Sequence, residues 1–140
     1  MDVVKREMTK CINDMDNSYK FNLFFFSTGC SKWKPELVVA TPEIKEEAIK
    51  YIQSQRPMGM TNIAGSLKMA AENADTQTIF LLTDGLPTAG ITDTNALLRD
   101  VQSWNKFKKI VINTIGMAGS DANFLQRLAS ENGGQFTTAN

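Results

Sequence analysis

One stretch, residues 78–87, limits the folds available to this chain more than any other. Four consecutive apolar residues, 79–82, are followed after one threonine by Asp84. Continuous apolar character without alternation predicts a parallel strand that is buried on both faces. Asp84 would then lie at the carboxyl end of that strand, which is the edge where open α/β sheets bind ligands. The alternative for Asp84 is an ordinary solvated Asp-Gly turn.

Helical and strand-like patterns alternate along the rest of the chain. Amphipathic spacing predicts helices that begin near residues 2, 42, 63, 93 and 122, and β-branched or aromatic runs predict strands at 21–27, 37–39, 78–83, 110–116 and 135–137. Such alternation predicts a mostly parallel sheet with helices on both faces, a Rossmann-like α/β sandwich. Residues 37–39 are close enough to 21–27 to form an antiparallel edge hairpin.

Local signals define several boundaries. Thr41 followed by Pro42 predicts a capped helix start, and Asp121 predicts another. Residues 27–31 predict a turn that exposes the thiol of the cysteine in it. The three lysines within residues 106–109 predict a solvated loop rather than a binding patch.

Composition excludes several classes of protein. Fifteen basic and fifteen acidic residues give a formal charge of zero, so the basic field required for nucleic-acid binding is missing. The sequence has no histidine, the commonest general base, and no apolar run long enough for membrane insertion. Cys11 lies on an apolar helix face and is expected to be a buried, inert thiol. The 140 residues are expected to form one domain, 1–140.

Three stretches together resemble the von Willebrand factor type A domain, particularly its bacterial branch. They are residues 21–27, residues 59–63 (Gly-Met-Thr-Asn-Ile) and residues 80–88 (Phe-Leu-Leu-Thr-Asp-Gly-Leu-Pro-Thr). Residues 113–116 and 124–134 also resemble the last part of the family's pattern. The resemblance covers essentially the whole chain, and the order and spacing of the motifs make it specific.

This resemblance implies a metal-ion-dependent adhesion site at the carboxyl edge of the sheet. The family's metal is usually Mg²⁺, sometimes Mn²⁺ or Ca²⁺, held by oxygen ligands. By matching motifs, Thr61 supplies a coordinating hydroxyl and Asp84 a carboxylate that holds the ion directly or through water. Gly85 would let the loop backbone turn beneath the site. The alternative for Thr61 is an ordinary helix cap.

The sequence departs from the family in one important respect. The first strand and the Asp-x-Ser-x-Ser motif that follows it are absent, since the first helical pattern begins at residue 2. In the family that strand lies between the strands matched here by 21–27 and 78–83. Three explanations remain open: an N-terminally incomplete domain, a strand donated by another chain, or direct pairing of 21–27 with 78–83 around a vestigial site. In each case the chain itself could lack a bound metal.

The leading functional interpretation is a non-enzymatic interaction module that binds an acidic residue of a protein partner through the metal ion. One alternative is a metal-free scaffolding domain. Another is a phosphoryl-transfer enzyme that uses Asp84, although the chain has no phosphate-binding glycine motif. Open sheet edges would also allow self-association or strand donation.

Overall fold

The computed structural model describes residues 2–26, 30–55, 61–83, 86–117 and 121–139. Within these ranges the chain forms five α-helices: α1 Asp2–Asn13, α2 Pro42–Ser54, α3 Ile63–Ala71, α4 Thr94–Lys108 and α5 Ala122–Glu131. Both predicted caps are confirmed. The Thr41 hydroxyl accepts a hydrogen bond from the N–H of Ile44 at 3.2 Å, and the Asp121 carboxylate accepts one from Phe124 at 3.2 Å.

The strands of the described chain form three separate ladders. They are β1 Lys20–Phe21, β2 Phe24–Phe26, β3 Cys30–Lys32, β4 Val38–Val39, β5 Thr78–Thr83, β6 Val111–Gly116 and β7 Phe136–Thr138. β5, β6 and β7 are parallel neighbours in that order, whereas β1 pairs with β4 and β2 with β3 in antiparallel fashion. The predicted α/β class is confirmed, as is the antiparallel pairing of residues 38–39.

Direct pairing of the aromatic segment with β5 is not observed among the described residues. In the described part of the chain, β5 pairs with β6 alone and β2 with β3 alone. The aromatic segment is also two strands rather than one, because the Asn22 side chain interrupts it. The Asn22 carboxamide donates to the carbonyl of Lys34 at 2.7 Å and accepts from the N–H of the same residue at 3.1 Å.

β5 differs from its prediction, because it is not buried on both faces. Ile79 and Leu81 are buried, whereas the side chain of Phe80 is 50% exposed. Successive side chains of a strand point to opposite faces, so this alternation means that helices cover only one face fully. A run of apolar residues indicates a strand. Whether other elements bury each face of that strand depends on residues that are far away in the sequence.

Two hydrophobic clusters hold the elements together. The sheet cluster joins Ile79, Leu81 and Ile112 to buried side chains of α3, α4 and α5, and Phe24 of β2 packs against it. The hairpin cluster is built around residues of α1, β1 and α2, with Leu23 between β1 and β2. α1 also contacts β5. α3 and α1 thus connect the β2 hairpin to the parallel sheet.

The basic segment 106–109 is also different from its prediction. Lys106 and Lys108 belong to the last turn of α4, and Lys109 ends the helix in a left-handed conformation with φ 55°. Cations are favourable there because the carboxyl end of a helix carries partial negative charge. Cys30, predicted in an exposed turn, begins β3 and is half-buried.

Asn105 fixes the connection from α4 to β6. Its side chain is 6% exposed. The carboxamide accepts from the N–H of Ile110 at 2.8 Å, and its NH₂ group donates to the Ile110 carbonyl and to the Asn132 side chain. One buried side chain therefore satisfies the backbone of Ile110 before β6 and also bonds a side chain in the connection that follows α5.

We predict that Asn105→Ala lowers the free energy of unfolding by about 2–4 kcal/mol, because it leaves the buried backbone of Ile110 unsatisfied. Urea unfolding followed by circular dichroism measures this change. Ser103→Ala is the matched control on the same helix: its exposed hydroxyl bonds only Asp100, so a change within about 0.5 kcal/mol is expected. Equal losses in both variants would contradict the assigned role of Asn105.

Candidate functional site

Thr61, a predicted site residue, is fixed to the loop that follows β5. Its N–H donates to the hydroxyl of Thr88 at 2.7 Å. Its carbonyl accepts from the N–H groups of Thr88 and Ala89 at 2.9 and 3.2 Å. These three hydrogen bonds join positions 27 or 28 residues apart in the chain and hold the residue before the α3 cap against the segment that follows β5.

The helix cap at α3 is Asn62, so the alternative role of Thr61 as a cap is wrong. The Asn62 side chain accepts a hydrogen bond from the N–H of Gly65 at 2.9 Å. Among the described residues the Thr61 hydroxyl has no hydrogen-bond partner, and Thr61 is half-buried.

The other predicted site residue, Asp84, lies outside the described residues, as does Gly85. Asp84 follows directly after Thr83, the buried last residue of β5. The Thr83 carbonyl accepts from the N–H of Met117 at 3.1 Å. The last described residue of β5 is thus fixed to the residue after β6, while the assignment of Asp84 as a metal ligand stays a prediction.

Gly90 allows the β5 loop to approach α3 closely. It has φ +68°, and a Cβ atom built on it would lie 2.5 Å from Oδ1 of Asn62. This is the same oxygen that caps α3. Only glycine combines this backbone conformation with this contact. Thr88 and Gly90 were not predicted as site residues, although a threonine and a glycine soon after Pro87 were visible in the sequence.

The described residues fit part of a metal site. Mg²⁺, Mn²⁺ and Ca²⁺ prefer about six or more oxygen ligands, and a threonine hydroxyl is a suitable neutral one. Within the described ranges, no three His, Cys, Asp or Glu side chains lie together so that they could hold a metal ion. Among the described residues Thr61 offers one oxygen of a suitable kind, and the predicted carboxylate ligand, Asp84, lies outside them.

The thiols are poorly suited to metal binding or nucleophilic chemistry. Burial raises the pKa of the Cys11 thiol, and the carboxylate of Glu7 raises it further. Burial also raises the pKa of Cys30. Since the thiolate is the reactive form, both groups are inert near neutral pH. Cys11 is half-buried rather than fully buried as predicted.

The sequence is similar to known proteins along nearly its whole length. The family described as von Willebrand factor type A domain matches residues 2–138. Human von Willebrand factor A domain-containing protein 3A is 28% identical over 137 residues, which are 96% of this chain and 11% of that protein. Mouse inter alpha-trypsin inhibitor, heavy chain 4, is 31% identical over 144 residues, or 93% of this chain and 15% of that protein. The chain spans only a small part of these relatives.

Solved structures show the same fold. A von Willebrand factor type A protein from Catenulispora acidiphila has a TM-score of 0.84 at 18% identity, covering 98% of this chain and 33% of that one. Proximal thread matrix protein 1 from the mussel byssus, with a zinc-occupied MIDAS motif, has a TM-score of 0.68 at 20% identity, covering 99% and 36%. In the described part of this chain, no helix is long and apolar enough to cross a membrane.

We predict that Gly90→Ala lowers the free energy of unfolding by about 2 kcal/mol. About half reflects the left-handed backbone and half the displacement of Asn62 from its cap. Gly133→Ala is the matched control, because Gly133 has φ +72° but a Cβ there meets nothing within 4 Å. Thermal unfolding of both variants gives the comparison. A smaller loss for Gly90→Ala than for Gly133→Ala would refute the contact with Asn62.

Proposed function

Because the chain belongs to the von Willebrand factor type A domain family, we propose that it is a protein-interaction module that engages an acidic partner group through a divalent metal ion. Family membership supports the interaction role rather than an enzymatic one. The observation that supports this location of the metal site is the set of hydrogen bonds between Thr61 and Thr88. It holds the backbone of Thr61 against Thr88 and Ala89, which lie a few residues after Asp84 in the sequence.

In this proposal Thr61 and Asp84 have different tasks. The Asp84 carboxylate supplies the charge that attracts a cation, and the Thr61 hydroxyl supplies a neutral oxygen. A bound Mg²⁺ or Mn²⁺ ion would offer a coordination position to a partner carboxylate. Since a single protein carboxylate leaves the ion with net positive charge, an acidic partner group is favoured over a neutral one.

The proposed ligand set is incomplete for a tight site. One carboxylate and one hydroxyl leave several coordination positions to water, to the partner or to another polypeptide. We therefore expect the chain alone to bind a divalent ion weakly, with Kd of about 10⁻³ M.

We predict that calorimetric titration with MgCl₂ or MnCl₂ gives saturable binding that Asp84→Asn weakens at least about tenfold. Thr61→Val should also weaken it, whereas Thr61→Ser should retain it because serine keeps the hydroxyl. Asp75→Asn is the control for the change of charge, since Asp75 lies in the exposed turn after α3.

Three outcomes would contradict the proposed metal site. One is binding that is unchanged in Asp84→Asn, which would locate the ion elsewhere. Another is equal weakening by Asp75→Asn and Asp84→Asn, which would indicate a general effect of net charge. If the chain binds no divalent ion at all, the proposal that Thr61 and Asp84 form a working metal site is likewise rejected.

A metal-free interaction module is the second candidate. One observation favours it: among the described residues, no three His, Cys, Asp or Glu side chains lie close enough together to hold a metal ion. Partner capture that persists in EDTA and in Asp84→Asn would support this candidate, whereas capture abolished by EDTA supports the metal-dependent form.

A further inference from the structure

A groove, here named the basic groove, lies at the amino-terminal end of β6, between the carboxyl ends of α4 and α5. It has a volume of about 470 Å³, which is enough for a short peptide segment. Residues 131–133 after α5 and the start of β6 line part of it. From α4 and the residue that ends it, the lining residues are Gln102, Asn105, Lys106 and Lys109. Their spacing in the sequence places these four residues along one face of the helix.

The charge of the basic groove comes from lysines. Lys106 and Lys109 line it and are exposed, and Lys108 is exposed in the same last turn of α4. Among the described residues, none of these three lysines forms an ion pair with a carboxylate. The described acidic side chains of this chain therefore leave all three positive charges without an acidic partner.

Glu131, the acidic side chain among the described lining residues, is already bound on both oxygens. Its Oε1 accepts a hydrogen bond from the Gln102 carboxamide at 2.9 Å, and its Oε2 accepts one from the guanidinium of Arg127 at 3.2 Å. The charge of Arg127 balances the charge of Glu131. This carboxylate therefore does not neutralise the lysines.

The helix ends reduce the positive charge of the basic groove but do not reverse it. α4 and α5 both end there, and the carboxyl end of a helix is equivalent to about half a negative charge. The two ends together supply about one negative charge against the three positive charges of the lysines, which leaves a net charge of about +2. An anionic ligand is therefore favoured over a cationic one.

Phe107 adds an exposed apolar side chain beside the basic groove. Its side chain is 84% exposed, and the ammonium group of Lys106 lies 5.7 Å from the centre of its ring. A single exposed aromatic residue is ordinary on a protein surface. Its position next to a lysine that lines the groove, however, suits a ligand that combines carboxylates with an apolar side chain.

We propose that the basic groove binds an extended acidic segment of a partner protein. Carboxylates of the segment pair with Lys106 and Lys109, and an apolar side chain of the segment packs on the ring of Phe107. Charge complementarity identifies this partner, because ammonium groups that lack an acidic partner within the chain attract carboxylates and repel basic segments.

An anionic membrane fits the basic groove less well than a peptide does. Basic clusters that bind anionic lipids have about four to eight lysines or arginines, whereas this region has three lysines. Two of the three line a concave groove, and a flat lipid surface does not enter a groove.

The basic groove is separate from the proposed metal site. β5 and β6 are parallel, and the groove adjoins the first residue of β6, Val111. It therefore lies at the opposite edge of the sheet from Thr83, the residue that precedes Asp84. Binding to the groove requires no metal ion.

The probe is a fluorescein-labelled peptide with three glutamates on each side of a leucine, titrated with the chain in EDTA at low salt. We predict saturable binding by anisotropy that Lys106→Gln/Lys109→Asn weakens at least about fivefold. Asparagine is chosen at position 109 because it tolerates the left-handed backbone there, with φ 55°.

Lys10→Gln/Lys50→Gln is the matched control, since it removes the same charge from exposed positions on α1 and α2. It should bind the peptide as tightly as the unaltered chain does. Equal weakening by the two double variants would overturn the proposal, because it would show an effect of net charge alone.

A second measurement does not depend on the folding of a variant. A peptide with glutamine in place of every glutamate keeps the length and the leucine but has no side-chain carboxylates. It should bind the unaltered chain at least about tenfold more weakly than the acidic peptide. Equal binding of both peptides, or no binding of the acidic peptide, would refute the proposal.

Vesicles of phosphatidylserine and phosphatidylcholine test the membrane as the occupant. The chain should not sediment with them in EDTA. If it does, and if Lys106→Gln/Lys109→Asn abolishes this sedimentation while the acidic peptide does not compete with it, the groove binds lipid and the proposal is wrong.

Discussion

The ladder between β5 and β6 is the interaction on which the rest of this structure depends. Its six paired positions run from Thr78 opposite Val111 to Thr83 opposite Gly116. The side chains that point to one face, among them Ile79, Leu81 and Ile112, gather α3, α4 and α5 into one cluster. The same ladder ends at the residue before Asp84, so it also determines where the candidate metal site begins.

The open edge of β5 and the candidate metal site both follow from this one strand. The parallel ladder satisfies half of the backbone groups of β5 and directs the other half away from β6. At its carboxyl end, the loop after β5 is fixed through Thr88 to Thr61. Within the described residues, β5 thus has backbone groups without a strand partner along one edge, and the predicted metal ligand Asp84 follows its last residue.

Features that depend on local chemistry could be predicted from the sequence. The caps at Thr41 and Asp121 involve hydrogen bonds to residues three positions away, so a short stretch contains all the information. The alternation of helices and strands similarly predicted the α/β class. The apolar run already predicted Asp84 at the ligand-binding edge of the sheet, whereas its role as a metal ligand and the choice of Thr61 came from the family resemblance.

Features that depend on distant contacts could not be predicted. The exposure of Phe80 depends on which helices pack against the second face of β5. Four consecutive apolar residues do not show whether any helix packs there. The bond from Thr61 to Thr88 spans 27 residues. Asn62 rather than Thr61 caps α3 because of the backbone conformation at the helix start, and both residue types are good caps.

Backbone hydrogen exchange of the chain alone, resolved by residue in NMR spectra, tests the open edge of β5 most directly. If β5 pairs only with β6, the amides of Ile79 and Leu81 should exchange at least about tenfold more slowly than those of Phe80 and Leu82. Equal protection of all four amides would mean that both edges of β5 are paired, which contradicts the structure described here.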